Sequence, residues 1–152
     1  MSPEDKLREL GIDLPEAPGP LGSYMPCVQT GPLIFLSGML PLINGKLVRT
    51  GRVGENVTVD EAREDARRAT INALAVLKAR IGNLAKVKQC VKITGYIASA
   101  PDFTEQPKVL NAASDLLFDI FGETGRHARA AVGVTVLPLH SPVEIAFIFE
   151  IS

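Results

Sequence analysis

Arg129-Ala-Ala-Val-Gly-Val-Thr-Val-Leu137, Pro138-Leu-His-Ser-Pro142 and Val143-Glu-Ile-Ala-Phe-Ile-Phe-Glu-Ile151 follow one another without a break. Apolar residues recur with period two on both sides of a Pro-containing turn, which predicts a β-hairpin. Val132, Val134 and Val136 share one face of the first strand, and Val143, Ile145, Phe147 and Phe149 share one face of the second. Burying the two sets together places Arg129, Ala131, Gly133 and Thr135 on the same face as Glu144, Ala146, Ile148 and Glu150. A guanidinium among such small neighbours leaves room for a ligand carboxylate, which its planar fork binds in bidentate fashion. The alternative is a strand-start arginine that pairs with Glu150 or faces solvent, since exposed ion pairs are common and worth little.

Moving back along the chain, Val109, Leu110, Ala113, Leu116, Leu117, Ile120 and Phe121 form a helical stripe. Thr104 reads as its N-cap, Pro107 lies in its first turn and Gly122 stops it, so a helix is expected over about 105–121. Residues 86–98 alternate as a strand. Thr58-Val-Asp-Glu61 is a capping box, and Ala62, Ala66, Ala69, Ala73, Leu74, Leu77 and Ile81 hold helical spacing to Gly82, predicting a helix over 59–81. Its charged outer side, with Glu61, Arg63, Glu64, Arg67, Arg68 and Lys78, reads as a solvated surface. Strands over about 25–30 and 33–37 turn at Thr30-Gly31-Pro32, and Asn44-Gly45 carries a second hairpin signal, so the domain is expected to open with a β-meander. Ser2-Pro3-Glu4-Asp5 through Gly11 reads as a short capped helix, followed by a loop punctuated by Pro15, Pro18, Gly19, Pro20 and Gly22. The order strands, helix, strand, helix, strands fits an α+β two-layer sandwich, a mixed sheet with two helices on one face. The other sheet face is then uncovered, which predicts an oligomer whose sheets meet there.

Composition narrows the function classes. At 152 residues with 46% hydrophobic content, one domain spanning 1–152 is expected, residues 1–20 being an N-terminal helix and loop extension. Sixteen basic and 17 acidic side chains give a net charge of −1, so no footprint for a phosphate backbone exists and nucleic acid is not expected as a partner. The N-terminus is too charged for a signal peptide and no apolar run approaches the ~20 residues that span a bilayer, so no membrane and a cytoplasmic location are expected. Cys27 and Cys90 form no CxxC pair and read as buried thiols, and His127 and His140 have no ligand-forming neighbours, so no metal is expected. Tyr24 reads as a half-buried loop aromatic. Ser37-Gly38 lacks the spacing of a nucleophilic triad and reads as turn chemistry.

Leu21-Gly-Ser-Tyr24, Leu36-Ser-Gly-Met-Leu-Pro41, Asn72-Ala-Leu-Ala-Val-Leu77, Asn111, and Ala128-Arg129-Ala-Ala-Val132 with Leu137-Pro138 and Val143-Glu-Ile145 together resemble the RidA/YjgF family over about residues 18–151. The resemblance implies a chorismate-mutase-like fold and a homotrimer with ligand clefts between subunits. It implies an imine/enamine deaminase that hydrolyses reactive 2-imino acids to 2-oxo acids and ammonia without metal or cofactor. By the same resemblance Arg129 holds the carboxylate of the small-molecule substrate, Tyr24 walls the cleft from a neighbouring subunit, backbone near Gly38 and Ala131 contacts the ligand or a water, and Asn111 supports the cleft. Where the family carries two glutamates, the second orienting the water, this chain reads Val143-Glu-Ile-Ala146. Glu144 and Glu150 are the remaining carboxylates of that strand face, about 7 and 13 Å along the strand, and Glu144 joins Arg129 as a catalytic candidate. Ala146 also motivates the alternative, a non-catalytic carboxylate-binding or chaperone-like trimer.

Overall fold

Thr58 starts the longest helix of the protein, which is described here from a computed structural model over residues 1–18 and 22–152. Leu21 of the Leu21–Tyr24 element, and Gly19 and Pro20 of the preceding loop, lie outside the described residues. The Thr58 side chain accepts from Glu61 N at 3.1 Å and Glu61 Oε1 accepts from Thr58 N at 2.9 Å, closing the capping box. The helix, α2, runs Val59–Ile81 and buries its alanine and leucine stripe. It follows a short α1, Pro3–Glu9, and strands β1, Cys27–Thr30, and β2, Leu33–Met39. Then come β3, Val87–Ala98, α3, Gln106–Phe121, β4, Ala128–Val134, and β5, Val143–Ile151. Glu105 rather than Thr104 occupies the N-cap of α3, and it makes no side-chain cap bond; Pro107 in the first turn leaves one fewer N–H to satisfy.

The five strands lie in the order β1-β2-β5-β3-β4. The predicted pairing of β4 with β5 is therefore wrong, because β3 lies between them. β4 runs parallel to β3 through the α3 crossover, while β5 is antiparallel to both β3 and β2. The turn at Pro138–Pro142 carries the chain across the end of β3: Ser99 N donates to Val134 O, Ala98 N to Pro142 O and Gly51 N to His140 O. Leu139 and His140 bend it with positive φ of 58° and 61°.

The change of partner also reverses the side of β4. Register with β3 sets Ile93 opposite Arg129, and Ile93 is fully buried under the helices and opposite Phe147. Arg129, Ala131 and Gly133 accordingly face the helices, on the side of Val143, Ile145, Phe147 and Phe149, and not on that of Glu144 and Ala146. Val132 is 41% and Val136 56% exposed, the opposite of the predicted burial. A period-two pattern fixes alternation within a strand; which set goes inward depends on the neighbour.

α2 and α3 cover one sheet face, and the core between them and the sheet is built from Leu74, Leu77, Ile93, Leu117, Ile145, Phe147 and Phe149. The two-layer α+β sandwich expected from element order is the architecture found. The opening meander is reduced: β1 and β2 form a hairpin around Gly31, but Asn44-Gly45 turns only one isolated bridge, Ile43 to Lys46. The segment after β2 is tied instead to α2. Asn72 Nδ2 donates to Leu40 O and Leu42 O, both at 2.9 Å, and the Arg49 guanidinium donates to Glu61 O at 2.7 Å, Asp65 Oδ1 at 2.8 Å and Glu64 Oε2 at 3.0 Å. The charged side of α2 is thus partly a docking surface for this loop. Cys90 is buried, and burial pushes its thiol up to about 12; Cys27 is only half-buried. Among the described residues no helix is long and apolar enough to cross a membrane.

Candidate functional site

Arg129 enters the site from β4, an edge strand whose outer backbone groups have no partner strand among the described residues. Its side chain reaches α3, where residues three and four apart share a face. Nη2 donates to Asn111 Oδ1 at 2.8 Å and to Pro107 O at 3.3 Å, and Nη1 donates to Ser114 Oγ at 3.0 Å. Asn111, expected to support the cleft, holds the guanidinium. The alternative pairing of Arg129 with Glu150 is not what the protein does, because Glu150 projects from the other face. These bonds occupy only part of the guanidinium fork. The rest is available to an anion at the exposed edge of β4, beside partly buried Ala131.

Ser114 and His127 extend the cluster. Ser114 Oγ and His127 Nε2 are 2.8 Å apart, and His127 Nδ1 lies 2.7 Å from Gly125 O. A carbonyl only accepts, so Nδ1 carries the proton and Nε2 accepts from Ser114. Burial pushes the imidazole below its ordinary pKa, the Gly125 carbonyl pulls it up, and the Arg129 charge pushes it down. Nothing in the sequence singled out Ser114, although its place one turn after Asn111 on α3 was the available signal.

Glu144 belongs to a second group on the uncovered sheet face. It lies opposite Tyr96 in register, and its carboxylate covers Gly38. A Cβ at Gly38 would stand 2.5 Å from Glu144 Oε2, so any larger residue there would displace the carboxylate. The pairing of β2 with β5 slips between Leu36 and Met39, a bulge that sets Ser37 and Gly38 together opposite the Ala146 region. Burial raises the Glu144 pKa, and among the described residues its carboxylate has no hydrogen-bonding partner. The Ser37 hydroxyl donates to Met25 O at 2.6 Å. Tyr24 is 55% exposed and, with Ser37, Gly38, Leu40, Arg68 and Asn72, lines a cavity of about 400 Å³ next to this bulge.

The predicted site residues therefore fall into two groups. Arg129, Asn111 and Ala131 sit at the β4 edge under α3; Tyr24, Gly38 and Glu144 sit at the β2–β5 side. Two strand spacings separate Arg129 from Glu144 across the sheet, about 10 Å, and their register differs by about 10 Å along it. They also project from opposite faces. No small acid bridges them within one protomer. Among the described residues no cluster of three His, Cys, Asp or Glu side chains is placed to hold a metal ion.

This geometry, a mixed five-stranded sheet backed by two helices with an arginine on the edge strand, defines an α+β protein of the chorismate-mutase-like kind. A family model described as "YjgF/chorismate_mutase-like, putative endoribonuclease" matches residues 4–151, and the chain belongs to that family, the RidA/YjgF family. It is 40% identical over 147 residues to Protein TCP17 of Trypanosoma cruzi, covering 96% of this chain and 92% of the relative. It is 35% identical over 141 residues to a 2-iminobutanoate/2-iminopropanoate deaminase of Dermatophagoides farinae, covering 93% of this chain and 95% of the relative. The crystal structure of Atu1372 from Agrobacterium tumefaciens, a protein of unknown function, superposes with a TM-score of 0.93 at 44% identity, covering 99% of this chain and 92% of that one.

Proposed function

We propose that this protein is a cofactor-independent deaminase that hydrolyses 2-imino acids to 2-oxo acids and ammonia in a cleft between subunits. The observation that carries the proposal is Arg129: a guanidinium held on one side by Asn111, Ser114 and the Pro107 carbonyl, with the remaining donors at an open sheet edge. Such an arginine is a pre-aimed carboxylate anchor. The relative named as an iminobutanoate deaminase supports the substrate class.

The second requirement is a group that handles protons. In the proposed reaction the substrate carboxylate rests on Arg129, and Glu144 with the Gly38 backbone comes from a neighbouring copy. Glu144 takes a proton from water as the water oxygen adds to the imine carbon. That proton passes to nitrogen, giving a carbinolamine; Glu144 then takes the carbinolamine hydroxyl proton and hands it to nitrogen as the C–N bond breaks and the C=O forms, and 2-oxo acid and ammonia leave. A carboxylate whose pKa burial has raised is closer to the range in which it both accepts and returns a proton. Tyr24 walls the cleft, and the Ala131 backbone borders the ligand. The assembly proposed is a homotrimer. In favour of association, the uncovered sheet face exposes Val28, Phe35 and Val132 at 57, 40 and 41%.

Ammonia release from freshly generated 2-iminobutyrate tests the reading, with the oligomer measured by sedimentation; a folded trimer with no rate above background sinks it. Ala146 favours a second reading, a carboxylate-binding trimer without turnover, because it leaves one carboxylate on this stretch of the face where the family carries two. That reading expects 2-oxobutyrate to bind through Arg129 without ammonia release, and expects Ala146→Glu to create the missing rate.

A further inference from the structure

The Arg129 guanidinium is the end of a hydrogen-bonded chain that starts at a main-chain carbonyl. Gly125 O accepts from His127 Nδ1 at 2.7 Å, His127 Nε2 accepts from Ser114 Oγ at 2.8 Å, and Ser114 Oγ accepts from Arg129 Nη1 at 3.0 Å. Each link fixes the polarity of the next. Because Gly125 O offers no proton, the imidazole must be the Nδ1–H tautomer; because Nε2 is then bare, the Ser114 hydrogen points to it; because that hydrogen is committed, the Ser114 lone pairs face the guanidinium. We propose that Ser114 and His127 are positioning residues that set the orientation of Arg129 for carboxylate binding through this one-directional relay. The inference rests on the reading of Arg129 as the carboxylate anchor and names the residues that make it one.

The relay is also a point of failure. A proton on Nε2 turns that atom from acceptor to donor, so the Ser114 hydrogen loses its partner and the Ser114 oxygen must serve two donors. The same proton places a cation beside the guanidinium. Charged groups around the imidazole are Arg129 on β4 two residues on, the Glu123–Arg126 ion pair of the turn before it, exposed Asp115 next to Ser114 on α3, and exposed Lys92 opposite Ala128 on β3. Of these only Arg129 bears on its titration. Glu123 is spent on Arg126, and the protonated ring has no carboxylate to compensate it. The new charge and the lost hydrogen bond both act on the guanidinium that Ser114 orients, so protonation loosens the anchor.

The test uses the full-length protein and 2-oxobutyrate as probe, with calorimetric affinities from pH 5 to pH 8 for wild type, Ser114→Ala, Ser114→Thr, His127→Gln and Arg129→Ala. We expect Ser114→Ala to weaken binding about tenfold at neutral pH, the loss of one hydrogen bond to a charged group, and Ser114→Thr to stay within about twofold because the hydroxyl is kept. Wild-type affinity should fall as pH drops through the His127 transition below 6.5, and His127→Gln, whose amide donates and accepts without titrating, should flatten that fall. If Arg129→Ala binds as wild type does, the anchor reading fails and the relay with it. If Arg129→Ala loses binding while Ser114→Ala and His127→Gln keep wild-type affinity and pH profile, the relay alone is overturned. A Ser114→Thr loss as large as that of Ser114→Ala also overturns it, since packing would then be the cause.

Discussion

The β4 edge and the β2–β5 bulge carry the two charged groups of the proposed site, and they are built in opposite ways. Arg129 is satisfied from within its own protomer, by α3 on one side and a serine–histidine chain behind. Glu144 is half-buried over a glycine with no polar partner among the described residues, and burial alone moves its pKa. Hydrogen bonds along one side of a charge hold it in one geometry, leave its other donors free and fit a group that binds. An unpartnered, partly desolvated carboxylate is held at a cost and fits a group that exchanges protons.

Substitutions at each region should separate these two roles. The largest effect is expected from Glu144→Gln, which should lower ammonia release a hundred- to a thousandfold while leaving 2-oxobutyrate affinity nearly unchanged; equal losses in both would mean that Glu144 also binds. Arg129→Ala should lower affinity for the same acid by about a hundredfold, the worth of a charge-assisted bidentate pair, and calorimetry with the uncharged amide analogue should show little change. Gly38→Ala inserts a Cβ into the Glu144 carboxylate. It should reduce turnover about tenfold through displacement of that group, and a crystal structure with Glu144 unmoved would contradict the account.

The smallest effect expected is on stability. Glu144 has a raised pKa in the fold, so its contribution is fully present below its unfolded pKa and is lost as pH rises through the folded value. Glu144→Gln should therefore melt about 1–2 °C higher than wild type near pH 7 and show no difference near pH 4. A variant less stable at pH 7 would place a favourable interaction on Glu144 and erase the contrast with Arg129.

Sequence patterns carried the helices well because each has local punctuation. Thr58 and Glu61 cap α2, Gly82 and Gly122 stop α2 and α3, and the apolar stripes lie between these signals. They failed at strand partnership. Arg129–Leu137 and Val143–Ile151 look like a hairpin because period two and a Pro-containing turn are local signals, whereas the insertion of β3 between them is decided by residues some 40 positions upstream. The face of Arg129 was misread for the same reason: Val132 and Val136 alternate correctly but meet no covering layer. The candidate site was named as a set of residues through the family motifs, and the structure brings two pairs of them, Arg129–Asn111 and Gly38–Glu144, into contact. It was not legible as two separate clusters, nor was the Ser114–His127 support, since both depend on which sheet face each strand presents.

The position of β5 has a consequence for how the protein is made. β5 follows every other strand in chain order, yet it occupies the middle of the sheet between β2 and β3. Before β5 docks, β1–β2 and β3–α3–β4 each have an unpaired inner edge and an uncovered apolar face. Until Val143–Ile151 docks, those two edges are templates for pairing with other chains. The keystone of the sheet is thus the last of these strands in chain order, and its docking closes both edges at once.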